Sequence, residues 1–112
     1  MGLRYRLAIL PRAQSDVESI YVWLRDKSQL GAASWFQAFE LVLDRLVDAP
    51  LQFPTAPESE PLDRQLRQAL FKSPHGRTYR AIFLIDEDAV YILRVRGPGQ
   101  PPLTNDELES EG

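Results

Sequence analysis

The residue pattern predicts an α+β fold: a small antiparallel-rich sheet in the order β-α-α-β-β-β, with a helical hairpin packed on one face. Three observations carry this expectation. Residues 77–96, RTYRAIFLIDEDAVYILRVR, read as two strands around one acidic turn. Tyr79, Ala81, Phe83 and Ile85 alternate there with Arg80, Ile82 and Leu84, the period of a strand. Asp86-Glu87-Asp88 interrupts the run, because acidic residues favour turns over a half-buried ribbon. The second observation is a stripe of Ala32, Phe36, Phe39, Leu43 and Leu46 at spacings of 4, 3, 4 and 3, the mark of an amphipathic helix. The third is a similar stripe just before it, Ala13, Val17, Ile20 and Leu24, joined by a short link containing Gly31. Two such helices in succession form an αα-hairpin whose apolar side needs a sheet face to cover.

In chain order, residues 3–10 alternate as a first strand, ended by Pro11, which cannot donate to a ladder. Pro11 also suits a helix entry, and Ser15-x-x-Glu18 offers a capping box slightly later, so the first helix is expected over about 12–28. The second helix is expected to run about 17 residues and to end before Pro50. Trp23 and Trp35 read as packing residues of this pair. Residues 49–61 hold four prolines and should form an irregular crossover to the sheet. Residues 67–72 form a plausible second strand, Ser73-Pro74-His75-Gly76 a turn, and the long hairpin follows. The folded domain is thus expected over residues 1–103, with 104–112 an acidic, solvated tail.

Arg80, Arg94 and Arg96 stand out in the apolar hairpin, and whether they share a face depends on register. A three-residue turn sets Leu84 opposite Val90, Ile82 opposite Ile92 and Arg80 opposite Arg94, with Arg96 on the same face. A two-residue turn would set Arg80 opposite Val95 and send the other two arginines to the far side. The three-residue polar interruption favours the first arrangement. Like charges placed opposite one another destabilise a sheet unless carboxylates or phosphates sit against them. Two readings follow: an anion-binding cluster, or strand-end arginines that extend to water.

Composition bounds the function. The chain has 112 residues, 44% hydrophobic and 26% charged, the make-up of one ordinary globular domain. It has no cysteine, which removes disulfide and thiolate chemistry. No apolar run approaches a membrane span or a signal-peptide core, so a cytoplasmic location without membrane attachment is expected. The net charge is −3, but residues 64–96 carry seven Arg or Lys against three acids, whereas the tail carries only acids. An anionic partner would meet the basic side, where Arg67, Lys72, Arg77, Arg80, Arg94 and Arg96 lie. There is no phosphate-binding glycine loop, a single histidine, and no grouping that implies a metal or cofactor. Guanidinium groups can grip carboxylate or phosphate and stabilise charge developing on phosphorus. Metal-free RNA cleavage also needs a base and an acid. Tyr79, Tyr91, His75, Lys72 or a carboxylate could be considered for those roles, and no pattern singles one out.

Taken together, the pieces resemble the RelE/ParE family of toxins from type II toxin–antitoxin modules, over roughly residues 3–103. The matching segments are the strand ending in LPRAQSDVESIYVWL, the helix ending in LVDAP, the Arg67 strand, YRAIF, and VYILRVR before a Pro-Leu. The resemblance implies a cytoplasmic toxin held in a hetero-oligomer by a cognate antitoxin. RelE-like members cut messenger RNA on the ribosome; ParE-like members share the fold and inhibit DNA gyrase. Arg80 matches the arginine that RelE-like enzymes place at the cleavage site, with Arg67 and Lys72 as possible assistants. RelE-like nucleases also carry histidine or tyrosine after the last strand, where this chain has Gly97-Pro98-Gly99-Gln100. That departure favours the ParE-like branch. The alternatives are a ribosome-dependent mRNA endoribonuclease and a non-toxic member that only binds antitoxin.

Overall fold

The first strand runs directly into the first helix, and this sets the layout of the molecule. The computed structural model describes residues 4–109. Its elements are β1 (Arg6–Ile9), α1 (Pro11–Lys27), α2 (Gln29–Asp48), a 3-10 turn (Pro50–Gln52), β2 (Arg67–Phe71), β3 (Tyr79–Asp86), β4 (Ala89–Arg96) and α3 (Asn105–Glu109). The four strands form one sheet in the order β1-β4-β3-β2. β1 lies parallel to β4, and the other neighbours are antiparallel. The α+β expectation holds, with a mixed sheet and both long helices on one face. Leu3, the expected start of the first strand, lies outside the described residues.

Helix boundaries differ from expectation for local reasons. Pro11 opens α1, since the first helical position needs no N–H. Ser15 and Glu18 therefore lie within the helix, and Leu10 is the N-cap without any side-chain bond. Gly31 does not break the hairpin; it is the third residue of α2. The break is Ser28, extended at φ −166°, whose Oγ accepts the Gly31 N–H at 2.9 Å. A Cβ on Gly31 would come within 3.3 Å of the Ser28 side chain, so glycine leaves room for the capping hydroxyl.

The α2 stripe Trp35, Phe39, Val42 and Leu46 is buried against Ala69, Phe71, Tyr79, Ala81, Phe83, Val90, Ile92 and Val95 of the sheet. Trp35 stacks on Phe39 with centroids 6.1 Å apart, and its ring lies 5.7 Å from Phe71 and 5.4 Å from Tyr79. Each such side chain stabilises the fold by about 1.5–3 kcal/mol through burial. Trp23 departs from the expected packing role, with 55% of its surface exposed.

The other face of the sheet is covered too. Ile82 and Leu93 pack there with Ala56 and Leu66 of the proline-rich connection and with Leu103 and Leu108 from beyond β4. Covering on both sides explains why both alternating sets of the hairpin are apolar. Over residues 105–109 the acidic segment is a short helix rather than a solvated tail, with Leu108 buried; residues 110–112 lie outside the described part.

The hairpin register follows neither arrangement read from the sequence. The turn has two residues, Glu87 and Asp88, so Asp86 faces Ala89 and Ile85 faces Val90. A β-bulge then shifts the ladder, pairing Ile82 with Arg94 and Arg80 with Arg96. Val90 and Ile92 therefore join the helix-side core rather than the arginine face, and Leu93 is the extra residue.

Candidate functional site

The bulge decides where the arginines go. Strict alternation from Val90 and Ile92 would carry Arg94 and Arg96 into the helix-side core. One extra residue returns both to the opposite face beside Arg80 and leaves Val95 in the core. The expected common face for these three is present, produced by the bulge and not by the turn.

Each of the three is held by the chain's own acceptors. Both terminal nitrogens of Arg80 bond the Glu58 carboxylate, Nη1 at 2.8 Å from Oε1, and Nη1 also donates to Gln68 Oε1 at 3.2 Å. Glu58 is 1% exposed, and its Oε2 also accepts the Leu103 N–H at 2.9 Å. Burial pushes the Glu58 carboxyl up, but the bonds from Arg80 and Leu103 outweigh it and hold it below the usual range. Arg94 grips Asp16 of α1 in bidentate fashion at 2.7 and 2.9 Å and donates to the Glu107 carbonyl at 3.0 Å. Asp16 Oδ2 also accepts the Val95 N–H at 2.9 Å. Arg96 donates to the Pro101 carbonyl at 2.8 Å and lies 3.5 Å from Glu107 Oε2. A bond from the Thr104 N–H holds the Glu107 carboxyl below its ordinary value; burial opposes this, and the charges of Arg96 and Arg94 add lesser support. The direct opposition of Arg80 and Arg96 is tolerated because each guanidinium has its own carboxylate.

The remaining sequence candidates lie elsewhere. Arg67 pairs with Phe83 on the helix-side face, and its Nη1 donates to the Phe53 carbonyl at 2.6 Å. It does not converge with Arg80. Lys72 and Arg77 are exposed, beyond β2 and in the β2–β3 loop respectively. Among the described residues, no three of His, Asp or Glu come together as a metal would require.

Arg77 belongs to a different feature. A cleft of about 970 Å³ opens between the tip of the α1–α2 hairpin, the β2–β3 loop and the chain after β4. Trp23, Trp35 and Tyr79 line it together with Lys27, His75 and Arg77. Lys27 Nζ sits 4.4 Å from the centroid of the Trp23 ring. Burial pushes the Tyr79 hydroxyl up, with the Arg77 charge opposing. The Trp35 Nε1 is buried without a hydrogen-bond partner. The sequence held two hints of this cleft: Trp23 lies off the Ala13–Leu24 stripe, and the basic residues of 72–77 fall in a turn.

The residue partners were less legible. Glu58 sits in a proline-rich stretch with no periodicity, and Asp16 lies 78 residues from the arginine that it holds. Nothing local to either marks it as a partner.

No curated protein matches the chain. A family model does, over residues 7–100, and it is described as the ParE toxin of the type II toxin-antitoxin system, parDE. That span runs from within β1 to just past β4, so it takes in the α1–α2 hairpin and the whole bulged β3–β4 unit. With the mixed four-stranded sheet and its helix pair in place, the chain belongs to the ParE toxin family of type II toxin–antitoxin systems, a membership that implies a cognate antitoxin as its partner.

Proposed function

We propose that this chain arrests growth by binding and blocking a DNA topoisomerase of the gyrase type, without cleaving RNA, and that the antitoxin suppresses this by forming a hetero-oligomer with it. The observation that carries the reading is the state of Arg80. A nuclease site at this position needs a guanidinium presented to a phosphate. Here the fork is filled by Glu58, a carboxylate almost wholly buried, which neutralises the charge and occupies the positions that phosphate oxygens would take. Arg67, the expected assistant, lies on the other side of the sheet.

The test is inducible expression without antitoxin, following growth, DNA integrity and mRNA 5′ ends in the same cultures. Broken DNA and an SOS response with intact messages are expected. Messages cut on the ribosome while DNA stays whole would replace this reading with the nuclease one. Normal growth with protein present would make the chain a non-toxic member of its family.

A further inference from the structure

The arginines opposite the helices are bonded to the chain's own acceptors, with Arg96 Nε their one buried unpaired donor among the described residues, so an open surface for a partner is sought elsewhere. The cleft at the hairpin tip provides it. Among the described residues, none that lines it is acidic, although the chain as a whole carries a net charge of −3. Lys27 and Arg77 stand at the cleft with His75 beside them, a local reversal of the protein's overall sign. Trp35 lines the cleft with only 2% of its surface exposed, and its indole N–H has no acceptor, although buried donors almost always find one. At the rim, Trp23 and Leu30 expose 55% and 83% of their surface. Trp, Tyr and Arg around a concave apolar floor is the composition of interface hot spots. The described part of the C-terminal segment turns away from the cleft, because Leu103 and Leu108 pack on the opposite face of the sheet.

We propose that this cleft receives an acidic segment of the cognate antitoxin, which inserts an aromatic or aliphatic side chain among Trp23, Trp35 and Tyr79, sets carboxylates against Lys27 and Arg77, and offers an acceptor to the Trp35 N–H. The proposal rests on the toxin–antitoxin reading and deepens it by giving the partner a site and a chemistry. A peptide fits better than a polyphosphate. The walls are mainly apolar and the basic groups are few, whereas a nucleic-acid backbone calls for a row of phosphate contacts.

Both tryptophans of the chain lie in this cleft, so their indole N–H groups report on it directly. The full chain, carrying 15N-labelled tryptophan, is titrated with the unlabelled product of the adjacent gene and followed by NMR. Both indole signals are expected to move, and Trp35 should take the downfield shift of a newly formed hydrogen bond. Reversing the charges of the exposed pair, Lys27→Glu with Arg77→Glu, should weaken binding at least about tenfold, because like charges then face each other across the interface. Added salt, which weakens binding of the wild-type chain, should weaken binding of this variant less or strengthen it, because it screens the new repulsion. Because Lys27 contacts the Trp23 ring, the fold of the free variant is checked instead by a far-UV circular-dichroism spectrum and a melting temperature that match those of the wild-type chain.

A complex that forms with both indole signals unmoved would overturn the cleft and leave the family partner standing. So would a charge-reversed variant that binds as tightly as the wild-type chain. If the adjacent gene product does not bind at all, the cleft proposal and its partner fall together. Indole signals that move with the chain's own concentration, before any partner is added, would place a second copy in the cleft and overturn the assignment.

Discussion

Removing the Glu58 carboxylate would leave the Arg80 guanidinium in a largely buried site with Gln68 as its remaining side-chain acceptor. Breaking one side of a buried pair costs about 3–5 kcal/mol, far more than the pair is worth against apolar residues of similar size. Glu58→Gln and Arg80→Met should each lower stability by roughly that amount in urea denaturation. The double variant Glu58→Leu with Arg80→Met should cost much less than the sum of the single changes. A loss of toxicity in Arg80→Ala would therefore report on folding unless stability is measured beside it. The same carboxylates set the response to acid. Glu58, Glu107 and Asp88 all lie below their ordinary values, Asp88 chiefly through its bond from Arg6. The unfolded chain takes up these protons first, so their contribution is complete above about pH 4–5 and lost as pH falls through and below that range. Thermal melts should show a steep fall in Tm on acidification, and Glu58→Gln should flatten it. At this scale the arginines were legible in the sequence as charges in an apolar hairpin. Their partners were not, since Glu58 is separated from Arg80 by 22 residues with no periodic relation to it.

The β3–β4 hairpin shows how one local irregularity places charged side chains at the level of the element. Three acidic residues suggested a three-residue turn, but Asp86 pairs with Ala89 and only Glu87 and Asp88 lie in the loop. Two-residue hairpin loops call for positive φ, and Glu87 adopts φ 55°. A side chain in that region costs about 1–2 kcal/mol relative to glycine, part of which returns as glycine's greater freedom in the unfolded chain. Glu87→Gly should thus stabilise the protein by about 0.5–1 kcal/mol, seen as a rise in the denaturation midpoint with an unchanged slope. The bulge at Leu93 matters more. It lets Val95 stay in the core while Arg94 and Arg96 emerge on the other face. The existence and limits of both strands were legible from alternation. The bulge was not, because an extra residue leaves the composition of a run unchanged and is favoured only by the packing on each side.

Across the whole molecule, the sheet is covered twice: by the helix pair, and by the proline-rich connection together with the segment after β4. Leu108 is 4% exposed in that segment, within the cluster of Ile82 and Leu93. Leu108→Ala should therefore cost about 2–5 kcal/mol in chemical denaturation, where a solvated tail would cost nothing. If stability is unchanged, the segment does not contribute to the core. Arg12, Arg94 and Arg96 all bond residues 101–107, so high salt should weaken this docking modestly and leave the helix-side core untouched. The sequence by itself determined the element order, the helical hairpin on a sheet, the apolar stripes and the family resemblance. All of these are periodic or local properties, and a periodic signal survives without knowledge of what lies across from it. Only the tertiary structure decided that the arginine face is closed by Glu58, Asp16 and Glu107, that Arg67 lies apart from it, and that Trp23, Trp35 and Arg77 meet at one cleft. Those are meetings between segments far apart in the chain. Their geometry is set by packing and by one bulge, neither of which leaves a repeating mark in the order of the residues.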